Sequence, residues 1–105
     1  MADDKISIEN FTSPGRVTRV DAAKFNEMKA AMLAVLPAAL PGLTVEEIIR
    51  AVKPGLSEAR FPGGSTAGWW VKAVQLDMEA KGFLARSKSS PLRHWLIGKG
   101  IPPDQ

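Results

Sequence analysis

Few residues in this chain have types suited to catalysis. His94 is the one histidine, and cysteine is absent. Glu46 and Glu47 are adjacent carboxylates, but Glu47 is predicted to belong to a helix-capping box. A zinc site needs several histidine, cysteine or carboxylate ligands at set spacings. The glycines of residues 62–64 precede a predicted helix, but the Gly-Lys-Ser/Thr of a phosphate-binding loop is missing. We therefore expect no enzymatic activity, no metal, no cofactor and no small-molecule ligand.

Basic side chains are concentrated in the second half of the chain. Residues 50–100 hold nine basic and three acidic side chains, whereas residues 1–49 hold five basic and seven acidic ones. An excess of positive charge in one region favours an anionic partner such as nucleic acid. The same pattern is typical of a solubilising surface, so the charge distribution leaves both interpretations open.

One polar strip of a predicted helix has residue types that bind DNA. The helix is predicted to run from Ser65 or Thr66 to Lys81, and at about 100° per residue Lys72 and Gln75 share a strip facing outward. Lys72 suits a phosphate or a guanine edge, and the amide of Gln75 suits an adenine edge. Ser65 and Thr66, at the helix N-terminus, are predicted to cap it and to hold a phosphate oxygen. The alternative is a solvated strip with one capped end.

A second group of cations flanks a predicted β-hairpin. Two short apolar runs, FLAR at residues 83–86 and LRHWLI at residues 92–97, surround a Ser/Pro-rich turn. Arg86, Lys88 and Arg93 fall at or beside the tip of this hairpin. A basic tip of this kind is suited to contacts with the phosphate backbone of DNA.

Helix boundary signals define the elements that hold these residues. Asp21 is predicted to cap a first helix that stops at Pro37, and Thr44 with Glu47 forms a capping box for a second helix. Gly82 is the expected left-handed residue that ends the third helix. The remaining segments are an extended arm at residues 1–20 with a turn at 13–15, a long loop at 53–64 pinned by Leu56 and Phe61, and a flexible tail at 98–105.

The order of three helices followed by a hairpin predicts a winged helix-turn-helix at residues 21–97. The fold class is therefore mainly α with a small β-hairpin, preceded by the arm. Ser65-Thr66, MEAKG at 78–82 and FLAR at 83–86 resemble the third helix and first wing strand of many bacterial winged-helix regulators. The loop at 53–64 is longer than the usual three- or four-residue turn, and such an insertion changes how the third helix is presented to a DNA groove.

Several blocks of the chain also resemble a small bacterial family of uncharacterised proteins. The blocks are PGRVTRVDAAKF, LPGLTVEEI, FPGG, AGWWVKAVQLDMEAKG and PLRHW, and the likeness extends over about residues 6–95. The resemblance implies a winged-helix fold and brings no established activity with it.

The paired tryptophans at the start of the third helix fall on different faces. Trp70 joins the main apolar face with Val74, whereas Trp69 joins a second apolar face with Leu76. This second face needs a cover, which is the N-terminal arm, the hairpin or a second copy of the protein.

The leading hypothesis is a cytoplasmic transcriptional regulator that binds double-stranded DNA. The alternative is a protein–protein interaction module of the same fold, with a contact surface formed by Trp69, Leu76 and the loop at 53–64. The acidic N-terminus has no signal-peptide pattern, and no apolar run reaches the length of a membrane span. Homodimerisation or another protein partner is compatible with either hypothesis.

Overall fold

The computed structural model describes residues 5–13, 15–88 and 90–97 as one mixed α/β domain. It contains three helices, an N-terminal β-hairpin and a three-stranded antiparallel sheet. In chain order the elements are β1 (Lys5–Glu9), β2 (Val17–Asp21), α1 (Ala22–Val35), β3 (Leu43–Thr44), α2 (Val45–Val52), α3 (Ala67–Ala80), β4 (Leu84–Arg86) and β5 (Arg93–Leu96). The predicted tail at 98–105 and Pro14 of the predicted turn lie outside the described residues.

The first two helices begin where their capping residues predict. The Asp21 carboxylate accepts a hydrogen bond from the Lys24 backbone N–H at 3.1 Å. At α2, Thr44 Oγ1 accepts from the Glu47 N–H, and the Glu47 carboxylate accepts from the Thr44 N–H. Both halves of the predicted capping box are therefore formed, and they satisfy backbone donors that have no partner within the helix.

The two ends of α3 differ in how well they match the prediction. At the C-terminus Gly82 adopts φ +84°, the Phe83 N–H donates to the Met78 carbonyl, and the Gly82 N–H donates to the Glu79 carbonyl. This is the Schellman arrangement that the glycine predicts. At the N-terminus the predicted Ser/Thr cap is wrong. Thr66 is left-handed (φ 60°) and its hydroxyl donates to the Ser65 carbonyl instead of accepting from the helix.

The predicted N-terminal arm is a β-hairpin that packs against α3. Strands β1 and β2 pair antiparallel, with Ile8 opposite Thr18. Ile8 and Val20 are buried in the core. The Glu9 backbone N–H donates to the buried Asp77 carboxylate of α3 at 2.8 Å. The hairpin is thus fixed to α3 by apolar contacts and by a partly buried hydrogen bond.

A short strand that the sequence does not predict completes the sheet. Strand β3 pairs antiparallel with β5, with Leu43 opposite His94, and β5 pairs with β4, which gives the order β3-β5-β4. The predicted C-terminal hairpin is confirmed as β4 and β5. Gly42 (φ +80°) precedes β3, and an added Cβ there would collide with the backbone of His94. Only glycine therefore allows the chain to approach β5 this closely.

The core lies where the three helices meet the hairpin and the sheet. Its fully buried side chains include Phe61 in the loop between α2 and α3, which anchors that loop as predicted. Other members are Phe25, Met28 and Met32 of α1, Ile48 and Val52 of α2, and Val71, Val74 and Met78 of α3. Among the described helices, none combines the length and the apolar character needed to cross a bilayer.

Candidate functional site

The outer face of α3 carries a large exposed aromatic side chain. Trp69 is 56% exposed, whereas Trp70 is 8% exposed and belongs to the core as predicted. Gly68 and Lys72 are also exposed, and Leu76 is half-buried. The N-terminal hairpin therefore covers part of the second apolar face of α3, but leaves Trp69 open to solvent.

The orientation of Trp69 is set by aromatic packing behind it. The rings of Trp69 and Trp70 meet at an angle of 78° with centroids 5.0 Å apart. Trp70 in turn meets the buried Phe61 edge-on, with centroids 6.5 Å apart. Such edge-to-face pairs are favourable beyond the area they bury. The exposed ring is thus supported by two rings that belong to the core.

A groove of about 190 Å³ separates the N-terminal hairpin from the outer face of α3. The hairpin contributes Ile8, Glu9, Asn10 and Thr18, and α3 contributes Trp69, Lys72, Ala73 and Leu76. The walls of the groove are therefore partly apolar and partly polar. The side-chain oxygen Oδ1 of Asn10 accepts hydrogen bonds from the backbone N–H and the hydroxyl of Thr12.

Lys72 is an exposed cation at the centre of this surface. It borders the groove and also a second cleft of about 390 Å³, where its neighbours include Thr44 at the start of α2 and Leu92 before β5. Within the described part of the chain, no carboxylate lies within ion-pair distance of its ammonium group. Lys72 therefore faces outward as predicted, between α3, the start of α2 and the second hairpin.

The residues before α3 are also exposed. Ser65 and Thr66 face solvent, and the aliphatic part of the Lys53 side chain lies beside Gly64. Lys53 itself is exposed. The start of α3 is thus an accessible surface with one nearby cation.

Gln75 is not on the outer surface, and its predicted outward orientation is wrong. The side chain is fully buried, and its Nε2 donates to Glu79 Oε1 at 2.7 Å. In this structure its amide is not accessible to a base edge. The strip of α3 that contains Gln75 and Glu79 is covered by β4 and β5, because the sheet packs on the C-terminal half of α3.

Arg86, predicted as a hairpin-tip cation, is part of a buried ion pair. Its Nε and Nη2 donate to the two carboxylate oxygens of Glu79 at 2.6 and 2.9 Å. The hydrogen bonds from Glu79 raise the pKa of the Arg86 guanidinium, against the opposing effect of burial. The guanidinium also lies over the Phe11 ring, 5.0 Å from its centroid. Arg86 is therefore directed inward rather than toward an external phosphate.

The other two predicted cations of the hairpin differ from each other. Arg93 Nη1 donates to the Gly42 carbonyl at 3.1 Å and to the Glu47 carboxylate at 3.3 Å, so it links β5 to the start of α2. Lys88 lies in the turn between β4 and β5 and is exposed. Of the three cations predicted for this hairpin, Lys88 is the one left available to a ligand.

His94 lies on β5 and completes a buried polar cluster. It is fully buried, with Nε2 3.6 Å from Glu79 Oε2. Burial lowers its pKa below the ordinary value, and the attraction of Glu79 offsets this only in part. The ring is therefore neutral at pH 7. The sequence places His94 on a strand but gives no indication of this cluster, because its members are separated in sequence and meet only when the sheet packs on α3.

Comparison with known proteins places most of the chain in one family. A model described as "Family of unknown function (DUF6958)" matches residues 5–94. The match carries no description of fold or activity. No curated protein and no solved structure gives a significant match.

Proposed function

We propose that the chain, which belongs to this family of unknown function, is a winged-helix domain that binds double-stranded DNA as a regulator. Support for the fold comes from the element order helix, strand, helix, helix, hairpin and from the sheet order β3-β5-β4. In this arrangement α3 is the recognition helix and the turn between β4 and β5 is the wing.

The exposed position of Lys72 on α3 is the main support for the DNA proposal. Lys72 is exposed near the middle of α3, has no ion-pair partner among the described residues, and lies between the start of α2 and the base of the wing. On a recognition helix in a major groove, a lysine can contact a phosphate or a guanine edge. Ser65 and Thr66 are exposed directly before α3, and they supply hydroxyl groups at the N-terminal end of this helix.

Internal ion pairs reduce the number of cations available to DNA. Arg60, Lys81, Arg86 and Arg93 are paired with Glu27, Asp77, Glu79 and Glu47. In the second half of the described chain, Arg50, Lys53, Lys72 and Lys88 have no such partner. Three or four phosphate contacts give a salt slope of about −2.7 to −3.6, which is a loss of affinity of about 40- to 150-fold between 50 and 200 mM salt.

The experiment is anisotropy titration of a labelled duplex at several salt concentrations. Lys72→Ala should weaken binding and lower the magnitude of the salt slope by about 1. Lys5→Ala is the matched control, because it removes an exposed cation at the end of β1 remote from the Glu9–Asp77 contact. Arg86→Ala is unsuitable, since it disrupts an internal ion pair. Absence of binding at low salt, or equal effects of the two substitutions, would refute the proposal.

A second candidate function is a protein-interaction module, and the exposure of Trp69 favours it. Exposed tryptophans beside grooves often anchor protein interfaces. The loop at 53–64 contributes less than the sequence suggests, because Ser57 is bound to Glu27 and Phe61 is buried. This function predicts self-association in sedimentation experiments that Trp69→Ala abolishes, with no affinity for duplex DNA.

A further inference from the structure

The exposed ring of Trp69 is packed against the core on one side. Its packing against Trp70, itself in contact with Phe61, holds it at the mouth of the groove between the N-terminal hairpin and α3. With 56% of its surface exposed, the indole retains open area for a flat ligand. Aromatic rings held in this way beside cations are the stacking platforms of proteins that bind unpaired bases.

The chemistry of the groove matches one nucleobase. A base has two apolar faces and a polar edge that carries both donors and acceptors. Trp69 and Leu76 supply apolar walls, whereas Asn10 and Thr18 lie on the opposite side. Asn10 Oδ1 is already engaged by Thr12, and among the described residues its Nδ2 has no partner, so Nδ2 remains as a donor for a base edge.

Charge at the groove also fits a nucleotide. Lys72 follows Trp69 by three residues on the same face of α3, so its ammonium can meet the phosphate of a base stacked on the indole. On the other side, the Glu9 carboxylate can accept a hydrogen bond from an exocyclic amine. An intact duplex cannot use this site, because each base is already stacked on both faces.

We propose that the groove beside Trp69 holds a single unpaired nucleobase, stacked on the indole and followed by a phosphate bound to Lys72. The inference rests on the proposed DNA-binding function and names its preferred substrate, a duplex with a bulged or mismatched nucleotide. Extruded bases of this kind are the least costly to remove from the stack.

The experiment compares two short labelled duplexes of the same sequence, one intact and one with a single extra thymine. The bulged duplex should bind about 5- to 150-fold more tightly, the range given by one stacked base. Trp69→Ala should remove this preference, whereas Trp69→Phe should keep most of it. Leu40→Ala is the matched control, because Leu40 is 70% exposed and lies in the segment after α1, outside the groove. Circular dichroism verifies that each variant is folded.

The outcomes separate the inference from the function on which it rests. Equal affinity for the two duplexes, unchanged by Trp69→Ala, overturns the stacking site and leaves the duplex-binding function in place. A preference for the bulged duplex that Trp69→Ala does not reduce also overturns the site. No binding to either duplex at low salt refutes the DNA-binding function itself. Self-association through Trp69 without DNA binding would assign the groove to a protein partner.

Discussion

Replacing Arg86 with methionine should cost the protein a large part of its stability. Methionine keeps most of the apolar stem but removes the guanidinium that donates to both oxygens of Glu79. The Glu79 side chain is 1% exposed. The substitution therefore leaves a carboxylate inside the protein that, among the described residues, still accepts a hydrogen bond from Gln75 Nε2. A charge buried without its partner is strongly unfavourable because water cannot solvate it.

The magnitude follows from the burial of the two partners. Breaking a buried ion pair from one side costs about 3–5 kcal/mol. Because Arg86 is 23% exposed, the lower end, about 3 kcal/mol, is expected. For a domain of this size that loss lowers the melting temperature by about 12–24 °C. The free energy of unfolding of a small domain is about 5–15 kcal/mol in total, so the variant should still fold at room temperature.

The assay is urea unfolding at pH 7, followed by circular dichroism. The unfolding midpoint should fall while the slope of the free energy with urea stays the same. Arg60→Met is the matched control, because Arg60 is 48% exposed in its pair with Glu27 and should lose less than about 1 kcal/mol. Adding Glu79→Gln to Arg86→Met should cost less than the sum of the two single changes. If Arg86→Met and Arg60→Met unfold at the same urea concentration, the buried cluster does not stabilise the fold.

Three further predictions concern pH, backbone geometry and the N-terminal hairpin. Because burial lowers the pKa of His94, the unfolded chain binds a proton that the folded one does not. The contribution of neutral His94 to the free energy of unfolding should therefore be fully present above about pH 6.5. Below that pH the free energy should fall by up to about 1.4 kcal/mol per pH unit. Urea melts at several pH values measure this, and a pH dependence that His94→Gln leaves unchanged contradicts it. Gly82→Ala should cost about 1–2 kcal/mol through its positive φ alone, whereas Gly42→Ala should cost more because its Cβ meets the β5 backbone; equal melting temperatures would refute this comparison. Asp77→Leu should lower the free energy of unfolding by about 1–3 kcal/mol and increase amide exchange in β1 and β2, since the Glu9 N–H loses its acceptor. Asp77→Asn is the control, because it keeps that acceptor oxygen. Equal amide exchange in the two variants would contradict the proposed anchor.

Local signals predicted the helices and their ends well. The cap at Asp21, the capping box of Thr44 and Glu47, and the Schellman glycine at Gly82 each depend on a few residues close in sequence. Their hydrogen bonds form within one turn of helix, so the sequence pattern contains most of the information needed. Thr66 is the exception, because the left-handed turn after the glycines of residues 62–64 directs its hydroxyl away from the helix.

Pairing between distant segments could not be predicted in the same way. Strand β3 has two residues, which is too short to produce an alternating pattern. The pairing of β1 with β2 also escaped prediction, because their buried residues are few and the strands have largely exposed outer faces. All three strands form because a neighbouring strand supplies their hydrogen-bond partners.

For the candidate site, the sequence by itself determined which residues are polar, which are basic, and that Trp69 lies on the second apolar face of the third helix and Lys72 on its polar strip. Only the tertiary structure decided which of these groups remain available. Glutamine and arginine often contact DNA from a protein surface. Here β4 and β5 pack on α3, and Gln75 and Arg86 both donate hydrogen bonds to Glu79. A buried carboxylate must be matched by nearby donors, and where those donors come from depends on the packing of segments that are remote in sequence.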